Sequence, residues 1–174
     1  MTAVKAYIGI GVSIGVLAGI WTQISSMTAL MTWVGFVAWA LYFATGTGRE
    51  GITTTLASTL SGLFWAWLTV LLLGQAAFPG ALAVLVGVLA LVLCLQAAVP
   101  ALSYIPGAFI GAAVYFGTLA AAPAPPVWQT ALTLVIGVGF AFLSGLLGAR
   151  IQSVVDGRGR TTAPATSESH ATAA

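Results

Sequence analysis

Few side chains in this sequence could do chemistry, and nearly all of those are uncharged. Thr54, Ser58 and Ser61 recur at i, i+4 and i+7, with Thr55, Thr59 and Gly62 on an adjoining stripe, so on a helix they form a ribbon of hydroxyls. Gln129, Thr130 and Thr133 open a later apolar run, and Gln23 and Gln96 each stand near the end of one. Hydroxyls and carboxamides donate and accept hydrogen bonds without carrying charge. Such a ribbon suits the passage of a small neutral solute. It suits equally a structural role, in which hydroxyls bond back to their own helix and glutamines bridge helices for about 0.6 to 2 kcal/mol each. The ribbon alone leaves both readings open.

Catalysis asks for more than hydroxyls. A serine or cysteine nucleophile needs an adjacent base or a lowered pKa, yet the one histidine, His170, lies in a polar tail and the acids are Glu50, Asp156 and Glu168. Ser144-Gly145 and the single Cys94 sit inside apolar runs with no such partner, and no Walker loop, H-E-x-x-H or G-x-S-x-G is present. No catalytic residue, cofactor or metal ligand is expected, and the chain reads as a non-enzyme. Cys94 reads as a buried small hydrophobe. Proton relays and voltage sensors mark themselves with ionisable groups inside the membrane. None lies inside an apolar run here, although sodium coupling through carbonyls stays open.

The elements that hold these residues follow from composition. With 174 residues, 60% of them hydrophobic and 5% charged, the chain departs from soluble domains, which carry about 25% charged residues. Its partner is the lipid bilayer; the net charge of +2 comes from a few loop and tail residues and implies no nucleic acid. A bilayer core of about 30 Å needs about 20 apolar residues per helix. Six runs qualify, at about 4–25, 29–46, 51–73, 79–98, 103–121 and 127–149, and all seven prolines fall in their first turns, in the loops or in the tail. The predicted domain is therefore 1–150, followed by a cytoplasmic tail over 151–174 that begins as a short helical exit and is otherwise disordered. Lys5, Arg49, Arg150, Arg158 and Arg160 all fall on one side, which places both termini in the cytoplasm.

Two stretches repeat. Val34 to Thr45, VGFVAWALYFAT, returns 73 positions later as Gly107 to Thr118, GAFIGAAVYFGT. Phe36 then falls on Phe109, Ala40 on Ala113, Tyr42 on Tyr115, Phe43 on Phe116 and Thr45 on Thr118, and Gln23 meets Gln96. Each half would hold three spans, an odd number, so the second copy enters from the opposite face. The prediction is an all-α membrane protein of six transmembrane helices in two inverted three-helix repeats, an architecture common among transporters. Solute-path residues would be Gln23, Phe36, Tyr42, Thr54, Ser58, Gln96, Phe109 and Tyr115. Phe36 and Phe109 would meet as an apolar constriction or else fill the bundle.

Small residues mark where helices approach. Gly11, Gly15 and Gly19 form a four-residue stripe in the first run, Gly107 and Gly111 a shorter one, and Gly137, Ser144, Gly145 and Gly148 another. Packing within the bundle is the simpler use; a homo-oligomer through Gly11, Gly15 and Gly19 is the other. Trp21, Trp33, Trp128, Tyr7 and Tyr104 near the run ends are expected as interface anchors, with Trp39, Trp65 and Trp67 deeper.

The order of segments LAGIWTQIS at 17–25, TWVGFVAWALYFATG at 32–46, LASTLSGLFWA at 56–66, CLQAAVPALSYIPGAFIGAAVYFG at 94–117 and LTLVIGVGFAFLSG at 132–145 resembles the YcdZ-like bacterial inner-membrane proteins, catalogued as domain of unknown function 1097. The resemblance implies a multi-pass protein of the bacterial inner membrane and lends no activity. The expected function is a channel or facilitator for a small neutral solute; the alternative is a non-transporting assembly or stress-related interaction protein.

Overall fold

A computed structural model of the chain describes residues 2–160, and every regular element among them is helical. The order is α1 (Thr2–Met27), α2 (Thr32–Ala44), α3 (Gly48–Leu73), α4 (Ala81–Leu95), two 3-10 turns (Gln96–Ala98 and Pro100–Leu102), α5 (Ile105–Thr118) and α6 (Val127–Arg160). Four helical stretches are long and apolar enough to cross a membrane: Val4–Met27, Gly48–Leu73, Ala81–Ala98 and Val127–Gly157. The other two differ from expectation. α2 has 13 residues and α5 has 14, so each rises only about 20 Å, short of the roughly 30 Å hydrocarbon core. They are the two copies of the repeated motif. A left-handed Gly46 (φ 100°) stops the chain after α2, and Ala121 and the proline-rich segment to Pro126 follow α5.

α3 and α6 are the spine. α5 and α4 pack along α3, α1 and α2 pack along α6, and the two spine helices meet each other. The buried faces repeat in register. In α2 they are Val34, Gly35, Ala38, Trp39, Leu41 and Tyr42, and in α5 each has a buried counterpart 73 positions on: Gly107, Ala108, Gly111, Ala112, Val114 and Tyr115. In α3 the buried Thr55, Ser58, Thr59, Gly62, Leu63, Ala66 and Thr69 are matched 75 positions on by Thr130, Thr133, Leu134, Gly137, Val138, Ala141 and Ser144. Any helix with one buried face matches another at some shift. Here the offset of 73 comes from residue identities alone and fits the burial of α2 and α5 without adjustment.

Missing Cβ atoms set the closest approaches. A Cβ on Gly62 would fall on the Ala108 carbonyl oxygen, and one on Gly111 on that of Thr59, so α3 and α5 touch backbone to backbone. α6 and α2 meet likewise, with a Gly137 Cβ landing 2.7 Å from the Gly35 oxygen. Such contact lets dispersion act over many atom pairs without a hydrophobic force in lipid.

The glycine stripe of α1 is not part of that packing. Gly9, Ser13, Leu17, Trp21 and Ser25 face the bundle, while Gly11, Gly15 and Gly19 point the other way, with nothing within 4 Å of an added Cβ. Two residues correspond to about 200° around a helix, so the stripes at 9 and at 11 lie on opposite sides. Trp21 is buried instead of anchoring at an interface: its Nε1 donates to the Thr32 carbonyl (3.0 Å), its ring covers Gly35, and Phe140 lies 5.5 Å away. Trp33, Trp128 and Tyr7 are exposed as expected, and Cys94 is exposed where burial was expected.

α6 also runs past its expected end near 149. Its extension carries Gln152, whose Oε1 accepts the Gly9 N–H (3.0 Å) and whose Nε2 donates to the Lys5 carbonyl and to Asp156 Oδ1 (3.0 Å each). Lys5 O and Gly9 N–H are groups that an α-helix pairs with each other, so the carboxamide bonds both partners of one rung of α1. The helical exit expected after 150 is thus a continuation of α6; residues 161–174, where disorder was expected, lie outside the described part.

Candidate functional site

Of the expected ribbon on α3, Ser58 is buried while Thr54 and Ser61 are half-buried, and the adjoining stripe is the more enclosed. Thr55, Ser58, Thr59 and Thr69 are enclosed, as are Thr130, Thr133 and Ser144 on α6. Most of these groups bond to their own helix: Thr59 Oγ1 donates to the Thr55 carbonyl (2.7 Å), Thr69 to Trp65 (2.8 Å), Thr133 to Gln129 (2.8 Å) and Ser144 to Ala141 (2.7 Å). Ser144 Oγ also accepts from Trp39 Nε1 (3.2 Å), and Ser13 Oγ donates to the Ser144 carbonyl (2.7 Å). For these residues the structural role accounts for every polar atom.

Among the described residues three buried atoms break the pattern: Ser58 Oγ, Gln96 Nε2 and Thr130 Oγ1 have no hydrogen-bond partner. Two of them lie on one flank of α3. α4 unwinds at Leu95 into the 3-10 turns, and this swings Gln96 onto α3, where its Oε1 accepts from Ser61 Oγ and from Trp65 Nε1 (3.2 Å). The same flank carries Ser58, packed beside Gly107 at the start of α5, where an added Cβ would come within 3.0 Å of Ser58 Cβ. Gln96 is thus oriented by two donors and its own N–H groups are left over. Ser61 and Trp65, four residues apart, were the sequence signal for this node; Trp65 is not among the residues expected to line a path.

The remaining expected residues do not gather there. Gln23 is exposed near the end of α1 and does not share the environment of Gln96. Thr54 is half-buried on the neighbouring stripe of α3. Phe36 and Phe109 are 40% and 41% exposed. Phe36 stacks on Trp39 at 6.2 Å, and Phe109 lines an apolar groove of about 170 Å³ between α4 and α5 with Leu89, Leu93, Ala112 and Phe116. The two rings therefore form no paired constriction within one chain. They keep equal exposure because they occupy equal places on α2 and α5.

Tyr42 and Tyr115 are both buried, but only the first is engaged. Tyr42 OH accepts the Gly48 N–H (2.8 Å), and one turn on Thr45 Oγ1 lies 2.7 Å from Thr55 Oγ1. The counterparts in the second half do not pair: Thr118 Oγ1 donates to the Tyr115 carbonyl (2.7 Å), and Thr130 Oγ1 is one of the three unpartnered atoms. Beside Tyr42 a groove of about 320 Å³ is lined by Ile10, Thr47, Gly48 and Phe142. Neither groove reaches Gln96 or Ser58.

Known proteins resemble this chain along most of its helical part. The inner membrane protein YcdZ of Escherichia coli (strain K12) is 35% identical over 113 residues, 63% of this chain and 68% of that protein. YcdZ of Salmonella typhimurium is also 35% identical over 113 residues, 63% of this chain and 69% of its own length. The uncharacterized protein YahC of Escherichia coli (strain K12) is 33% identical over 120 residues, 62% of this chain and 73% of its own. No solved structure matches. A family model described as protein of unknown function, DUF1097, matches residues 11–149, from within α1 to within α6, and the chain belongs to that family.

Proposed function

We propose that this is an inner-membrane protein that lets a small neutral solute cross, with no bond made or broken. The observation that carries this reading is the pair of unpartnered buried polar atoms, Ser58 Oγ and Gln96 Nε2, on one flank of α3. Leaving a buried donor or acceptor unpaired costs about 1–3 kcal/mol. A bundle built only to pack would replace such groups by apolar ones, whereas a solute with its own donors and acceptors can use them in passing. No charge stands at the node, which fits a neutral cargo of the size of urea or acetamide.

The same reading takes the chain as six spans in two inverted halves, with both termini in the cytoplasm. It is supported by the offset of 73 shared between sequence and burial, and by the matched packing of α5 on α3 and of α2 on α6. α2 and α5 would cross as short helices, with local thinning of the bilayer and their flanking loops making up the remaining thickness. Names of the relatives add the inner membrane.

Stopped-flow light scattering of proteoliposomes tests the transport claim. Vesicles holding the protein should re-swell in urea or acetamide faster than empty ones, Gln96→Leu should slow them, and Gly11→Leu, on the open face of α1, should not. Re-swelling no faster than in empty vesicles removes the proposal.

A second reading has one observation in its favour, the open stripe of Gly11, Gly15 and Gly19. In it the protein is a non-transporting partner in a membrane assembly, joined to a second copy through α1. Energy transfer between labelled copies in liposomes, lost on Gly15→Leu, would support it; equal transfer in both would remove it.

A further inference from the structure

We propose that the protein alternates between two arrangements in which the hydroxyl pair Thr45–Thr55 and its counterpart, Thr118 with Thr130, close in turn. The proposal rests on the inverted-repeat reading given above. Tyr42 and Thr45 on α2 recur 73 positions on as Tyr115 and Thr118 on α5, and Thr55 on α3 recurs 75 positions on as Thr130 on α6. The residue types are the same and the second set is buried throughout. Only the first set is bonded from one helix to the next: Tyr42 OH accepts the Gly48 N–H (2.8 Å), and the Thr45 and Thr55 hydroxyls hydrogen-bond across 2.7 Å.

Thr118 is nevertheless set for the same bond. Its Oγ1 donates to the Tyr115 carbonyl (2.7 Å), as Thr45 Oγ1 donates to the Tyr42 carbonyl (3.2 Å), so the two hydroxyls are held alike. What differs is the partner helix, whose Thr130 Oγ1 is buried without a hydrogen-bond partner. One end of the molecule therefore holds a formed pair and the other holds the parts of an unformed one. Closing the second while opening the first exchanges equivalent bonds, so the two arrangements have similar free energies, the condition for a two-state element. With the halves inserted from opposite faces, the pairs lie toward opposite sides of the bilayer, and closing them in turn exposes the interior to each side alternately.

Paired cysteines test this in full-length protein reconstituted in liposomes, in a Cys94→Ala background. Thr45→Cys with Thr55→Cys should cross-link under mild oxidation, and Thr118→Cys with Thr130→Cys should also cross-link, more slowly. A chain carrying all four should form one bridge or the other, with no molecule holding both, as read by intact mass. An outer pair that never cross-links, or molecules with both bridges, overturn the proposal. If the four-cysteine chain does not fold, Thr55→Val added to the outer pair supplies the second readout. Weakening the inner pair should speed outer cross-linking severalfold, and an unchanged rate overturns the proposal. Swelling is read separately: exclusive cross-links without solute-dependent swelling remove the transport reading and leave the alternation, and swelling with simultaneous bridges does the reverse.

Discussion

The last turn of α2 and the last turn of α5 share the pattern Tyr-Phe-x-Thr yet finish differently. After α2 the chain turns within three residues, 45–47, and left-handed Gly46 and Gly48 bring the next helix back so closely that Tyr42 reaches the Gly48 amide. After α5 the connection takes eight residues, 119–126, three of them proline, and no amide comes back to Tyr115. Proline has no N–H to offer. Repeated side chains thus determine which face is buried, while connection length determines which polar groups on that face find partners.

Substitutions can break or sharpen this contrast. The largest effect is expected where the halves cross their spine helices. Gly62→Val drives a side chain into the Ala108 carbonyl and should cost about 3 kcal/mol or more, seen as loss of a monodisperse peak after solubilisation. Gly137→Val, its counterpart with 2.7 Å clearance, should be folded but weakened. If the two are equally mild, the backbone contacts are not what joins the halves.

Next come the hydroxyls. Tyr42→Phe should lower stability by about 1 kcal/mol, through loss of the Gly48 bond, and Tyr115→Phe should change it little. Thr55→Val removes a formed bond worth about 1 kcal/mol and should shift the molecule away from the arrangement described here, whereas Thr130→Val removes an orphan and should hold it there. Hydrogen-exchange protection of the Gly48 amide in lipid nanodiscs should fall with the first and not with the second; equal losses at 55 and 130 would mean the second half is bonded after all. The smallest effect is expected at the open stripe, where Gly15→Leu should leave monomer stability within about 0.5 kcal/mol.

Much of this was legible in the residues, and what was not has physical causes. The offset of 73 read from the YF repeat recurs in the buried positions of α2 and α5, although the residues did not say which face would be buried. The Gly11, Gly15, Gly19 stripe did not reveal its direction, since glycine spacing states that a helix can be approached closely and not by what. Trp21 resembled an interface anchor by its place near a run's end, but Gly35, across the turn into α2, leaves room for its ring and Thr32 supplies the carbonyl that its N–H needs. Gln96 was recognised as a polar residue needing a partner; its partners, Ser61 and Trp65, depend on where α4 unwinds, which no periodicity encodes.

The Gln152 carboxamide has a consequence for how the chain is made. α1 is synthesised first, but its inward face and the Gly9 amide wait for a residue 143 positions later. Without α6 the Lys5 carbonyl and the Gly9 N–H pair only with each other, as in any α-helix, and the buried positions at Gly9 and Ser13 stay bare toward the bilayer. The inward face of α1 is therefore finished only when α6 arrives, which couples the packing of the first helix to the insertion of the sixth.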